Sequence, residues 1–95
     1  MNIGNAIKEL RKEKGLSQRD LAEKAGLTQT SLSQIESGVK RPNPSTLKKI
    51  TDFFGISETV IYILATEITD IPSHNQETYG KLFHTVKKTF LDIFK

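Results

Sequence analysis

The chain has no cysteine and no tryptophan. Without thiols it forms neither a disulfide nor a thiolate metal centre, so a small stapled secreted scaffold and a cysteine zinc finger are both excluded. Long apolar runs are also missing. The longest, Val60–Ala65, has six residues, far short of the roughly 20 that cross a bilayer as a helix. Met1-Asn2-Ile3-Gly4-Asn5 lacks the basic and then apolar regions of a signal peptide. A cytoplasmic protein with no membrane partner is expected. Only two histidines are present, His74 and His84. Neither they nor Asp70 stand at a metal-ligand spacing, and no catalytic arrangement has positional support. No enzyme activity, cofactor or metal is expected.

An excess of one charge sign is absent overall, since 14 basic residues face 11 acidic ones. The distribution is uneven. Residues 1–55 carry 10 basic and 6 acidic side chains, and residues 56–95 carry 4 and 5. An anionic partner is therefore expected on the first half. At 95 residues the chain supports one small core and no second one.

Helical periodicity fills that length. Ile3, Ile7 and Leu10 form an apolar stripe between Lys8, Glu9, Arg11, Lys12 and Glu13, and Gly15 ends it. Ser17 is an N-cap candidate for a second helix, with Asp20 in its first turn, Leu21, Ala22 and Ala25 facing inward and Gly26 as its stop. Thr28 stands in the same relation to a third helix with Leu32 and Ile35, closed by Gly38. Asn43-Pro44 opens a fourth, with Leu47, Ile50, Phe53 and Phe54 as its stripe. Ser57 opens a fifth through Val60, Ile61 and Leu64. No strand-like alternation appears in residues 1–65.

The stretch Gln18–Gly38 pairs two short helices across a three-residue turn. Ala22 is small enough for a steep helix crossing, and Gly26 tolerates the positive φ that the turn requires. The segment Ser17-Gln18-Arg19-Asp20-Leu21-Ala22-Glu23-Lys24-Ala25-Gly26-Leu27-Thr28-Gln29, then Gln34-Ile35-Glu36-Ser37-Gly38 and Arg41-Pro42, resembles the helix-turn-helix domain of phage repressor and Cro-type (Xre-family) regulators. The resemblance covers about residues 3–64. It implies an all-α architecture: a five-helix repressor-like DNA-binding domain at 1–66, a linker at 67–76 and a C-terminal amphipathic helix at 77–95.

It also implies a function. The chain is expected to be a sequence-specific regulator, of the repressor kind, that binds double-stranded DNA as a homodimer on a near-palindromic operator. The third helix, about Thr28–Ser37, would enter the major groove, where its N-terminal side chains reach base edges. The expected base contacts are Gln29, Thr30, Ser33 and Gln34. A glutamine amide pairs bidentately with adenine, and a threonine methyl meets a thymine methyl. Gln18, Arg19, Ser31, Ser37, Lys40, Arg41 and Asn43 are the expected phosphate contacts. The resemblance further implies that Gln18 buttresses Gln29, and that Arg11 and Glu36 form an internal ion pair between the first and third helices.

The C-terminal segment carries Tyr79, Leu82, Phe83, Val86, Phe90, Ile93 and Phe94 on one face. That much apolar surface needs a cover. Dimerisation is expected through Tyr79, Leu82, Phe83, Val86, Phe90 and Phe94, with Val60 and Ile61 as a second dimer surface. The alternative is a DNA-binding antitoxin or interaction module whose last helix holds a partner protein.

Overall fold

The computed structural model describes residues 1–93. Six α-helices follow one another: α1 (Ile3–Glu13), α2 (Gln18–Ala25), α3 (Gln29–Glu36), α4 (Pro44–Phe54), α5 (Glu58–Ala65) and α6 (Gln76–Ile93). No strand occurs among the described residues. The first four helices start on one device. The side chains of Asn2, Ser17, Thr28 and Asn43 each accept a hydrogen bond from the backbone N–H three residues on. Such a cap satisfies a donor with no partner inside the helix and contributes about 1 kcal/mol. At α2 the cap is reciprocal, because Asp20 accepts from the Ser17 backbone N–H. Hydrogen bonding of the Asp20 carboxyl to Ser17, first to its side chain and then to its backbone N–H, holds that carboxyl below its ordinary pKa. Ser57 makes no side-chain cap at α5.

Ile7, Leu10, Leu21, Leu32, Ile35, Ile50 and Ile61 are fully buried and form the centre of the core. Two glycines position α1–α3. Gly26 ends α2 at φ 76°, which turns the chain straight into the cap of α3. Gly4 lies where α1 crosses the end of α3. A Cβ there would run into the Ile35 carbonyl oxygen and stand 3.2 Å from the Glu36 oxygen, so only glycine fits.

The expectation for Ile61 is corrected by the structure. Its side chain is 0% exposed and serves the chain's own core. The cause is the composition of α5, apolar nearly all round, which looks like spare surface in the sequence. In the fold α1, α4 and α6 all pack on it. Val60 is half-buried against the same core, and only Tyr62 of this helix is an exposed large hydrophobic, at 38%.

The segment expected as a linker contains two 3₁₀ turns, Ile68–Asp70 and Ser73–Asn75. The Met1 ammonium meets Asp70 at 2.7 Å and Glu67 at 3.1 Å. The helix that follows starts one residue earlier than expected and packs back on α1 and α5. It buries none of its own residues. Phe90 and Leu91 rest against the core.

Candidate nucleic-acid interface

The helix α3 is eight residues long. Its inner face, Leu32, Ile35 and Glu36, is buried. Its outer face, Gln29, Thr30, Ser33 and Gln34, is exposed. The sequence folds this way because the apolar residues recur at spacings of three and four, and every residue on the other side is polar and uncharged. Those four side chains and Gln18 at the start of α2 line one depression of about 310 Å³. The structure thus brings together the four expected base contacts and one expected phosphate contact.

Beneath this surface lies a buried ion pair. Arg11 Nε donates to Glu36 Oε2 at 2.8 Å, and Arg11 Nη2 donates to Glu36 Oε1 at 3.0 Å. The geometry is bidentate, and the two side chains are only 10% and 3% exposed. Arg11 Nη1 donates to the Leu16 carbonyl at 2.8 Å, so the guanidinium also fixes the α1–α2 connection. Glu36 is the only charged residue of α3. Its pairing with Arg11 leaves the outer face of the helix without a free negative charge.

The remaining expected phosphate contacts surround this face and differ in how free they are. Lys40 and Arg41 are exposed and line a second depression of about 430 Å³, which also takes in Asn2, Ile3 and Gly4 at the start of α1. Arg19 is exposed and lies 3.4 Å from Glu23, a surface pair of small energetic weight. The Ser37 hydroxyl donates to the Gln34 carbonyl at 3.1 Å. The Asn43 side-chain oxygen is engaged as the α4 cap, accepting from Thr46 at 2.8 Å. The side chain of Ser31 is half-buried, and its backbone N–H donates to the Thr28 hydroxyl at 3.1 Å.

Two features of the site escaped the sequence reasoning. Gln18 donates its amide to Glu36 Oε1 at 3.1 Å, a link that crosses 18 positions and leaves no local signal. Gly4 is the other, although a glycine in the first turns of a helix costs about 1 kcal/mol against alanine and so marks a steric need.

The tail residues divide. Tyr79 and Leu82 are exposed, at 44% and 55%. Val86 is half-buried. Phe83 turns inward, lining a small cleft of about 130 Å³ with Thr66, Glu67 and Ile71. Phe90 packs on the chain's own core, so that part of the expected dimer face is already covered. Phe94 lies outside the described residues.

The architecture and this site define the class. The family model described as Helix-turn-helix matches residues 7–61, more than half of the chain. The chain belongs to the Xre-type helix-turn-helix family of DNA-binding transcriptional regulators. Among its relatives, the immunity repressor protein of Bacillus phage phi105 is 32% identical over 92 residues, covering 93% of this chain and 64% of the relative. The ImmF control region 10 kDa protein of the same phage is 32% identical over 68 residues, covering 72% and 76%. The HTH-type transcriptional regulator PuuR of Escherichia coli (strain K12) is 43% identical over 54 residues, covering 57% and 29%. The chain therefore spans less than two thirds of the first and the last of these. No solved structure matches it significantly. None of its helices, among the described residues, is long and apolar enough to cross a membrane.

Proposed function

We propose that the chain is a sequence-specific DNA-binding repressor that acts as a homodimer on a near-palindromic operator. The observation that carries this reading is the single depression lined by Gln18, Gln29, Thr30, Ser33 and Gln34. It gathers amide and hydroxyl groups on an exposed face that holds no free negative charge. An α-helix with its side chains is about 10–12 Å across, which fits the roughly 12 Å width of the major groove. With α3 in the groove, Gln29 reads an adenine edge and Thr30, Ser33 and Gln34 lie along the neighbouring base pairs. Lys40 and Arg41 meet the phosphates beside the groove and set the register, with Arg19 and the hydroxyls of Ser31 and Ser37 at the margins. Repression, as against activation, rests on the name of the phage relative.

A palindromic operator needs two copies, and α6 offers the surface. Tyr79, Leu82, Val86, Thr89 and Ile93 follow one another at alternating spacings of three and four, the pattern of a helix-pairing seam. Tyr79, Leu82 and Ile93 are the exposed large hydrophobics of this helix. No charge falls in the row, so a second copy of α6 meets it without burying an unpaired ion. A foreign partner protein on the same row is the competing occupant.

The DNA-reading half is tested with Gln29→Ala. Loss of about 1–3 kcal/mol of discrimination between duplexes is expected, with an unchanged melting temperature because the side chain is exposed. Discrimination equal to the unsubstituted protein would remove Gln29 from the base contacts.

A further inference from the structure

Glu36 accepts three hydrogen bonds, two from Arg11 and one from Gln18. An ionised carboxylate is acceptor-only, so whatever faces it must donate. This decides which way the Gln18 amide lies. On an open surface the two ends of a glutamine amide exchange freely. Here the nitrogen is held at 3.1 Å from Glu36 Oε1, because the opposite orientation would set a carbonyl oxygen against a carboxylate. Gln18 also lines the depression with Gln29, Thr30, Ser33 and Gln34. With one N–H held on Glu36, its carbonyl oxygen is the acceptor left for that surface.

We propose that Glu36 is a positioning residue for DNA readout: it anchors the Gln18 amide nitrogen so that position 18 presents a hydrogen-bond acceptor to the recognition surface. An acceptor selects a donor. The donors within reach of such a surface are the amino groups of adenine and cytosine in the major groove and the amide of a neighbouring recognition residue. The buried ion pair thereby extends its effect from the stability of the fold to the choice of base. The chain of contacts runs from Arg11 to Glu36 to Gln18. Each member sets the polarity of the next, as a charged group does in a buried network.

The inference rests on the DNA-binding reading given above, and its test separates the two. A duplex recovered from a random-sequence pool is the probe, with its single-base variants and with an unrelated duplex. Gln18→Met keeps the length of the side chain and removes the acceptor. The expected result is a roughly tenfold loss of discrimination at one or two base positions, with the slope of binding against salt unchanged. A uniform loss on all duplexes, with the slope reduced by about 0.9, is the signature of a lost phosphate contact and would overturn the proposal. Arg11→Met combined with Glu36→Met then tests the positioning step. Replacing both partners by apolar side chains of similar volume is often tolerated, whereas removing one leaves a buried charge. The folded double variant is expected to lose discrimination at the same positions as Gln18→Met. Full discrimination in the double variant would show that Gln18 orients itself without Glu36. Where neither variant folds, Glu36→Gln at low temperature is the second measurement, read on the same variant duplexes with the same two outcomes. If the unsubstituted protein binds no duplex at all, the DNA-binding reading itself fails.

Discussion

At the scale of single residues, the smallest side chain is under the tightest constraint. Gly4 faces the Ile35 carbonyl oxygen, the Ile35 carbonyl carbon at 3.1 Å and the Glu36 oxygen at 3.2 Å. All three are backbone atoms of α3, so a methyl group there pushes α1 and α3 apart. Helix propensity alone favours Gly4→Ala by about 1 kcal/mol, and overpacking opposes it by about 1–3 kcal/mol. A net loss of stability is expected, read as a melting temperature lower by several degrees. A higher melting temperature would mean that the contact relaxes freely. Gln18 and Glu36 obey the same logic in polar form. What each does is set by an atom many positions away, which is why no local pattern announces either role.

At the scale of elements, the chain of short helices is held by its starts. Asn2, Ser17, Thr28 and Asn43 cap four of them, and the cap of α2 is the one with a titrating partner. Asp20 has a lowered pKa in the folded protein, chiefly from the Ser17 hydrogen bond. A carboxyl with a lowered folded pKa contributes stability above its unfolded pKa, near 3.9. That contribution disappears as pH falls through the folded value. Between about pH 5 and pH 2 the stability of Asp20→Asn is therefore expected to fall less steeply than that of the unsubstituted chain, as followed by thermal melts across that range. Identical slopes would remove Asp20 from the acid-sensitive groups.

Most of this scale was legible in the sequence. The cap residues, the glycine stops and the three-four spacing of Leu32 and Ile35 are local signals, and they positioned α1–α5 to within a residue or two. Ile61 lies where such local signals end. An apolar helix of eight residues has no periodicity that says how many neighbours it has, and α5 has three. Similarly, Phe83 and Phe90 share a stripe with Tyr79 and Leu82 in the sequence, and only the packing of α6 on α1 and α5 separates inner from outer. The outer face of α3 was legible for the opposite reason. It is polar where one side must be apolar, so inside and outside could not be confused.

At the scale of the whole molecule, the outer face of α6 is the apolar surface left uncovered. The body measures 42 × 27 × 19 Å along its principal axes, and α6 leaves Tyr79, Leu82 and Ile93 exposed, the last at 69%. Leu82→Glu puts a charge in the middle of that row, where a second copy would have to bury it. If two copies pair through α6 as proposed, the unsubstituted chain sediments as a dimer and Leu82→Glu as a monomer at the same concentration, with the circular dichroism unchanged because Leu82 carries no core contact. A dimer of undiminished strength would move the interface elsewhere on the molecule.

The central claim is that α3 reads DNA sequence and that two copies read it together. Selection from a random-sequence duplex pool with the purified protein tests both at once. The account predicts enrichment of a near-palindrome whose half-site centres lie about one helical turn apart. Folded protein that enriches no sequence would contradict it.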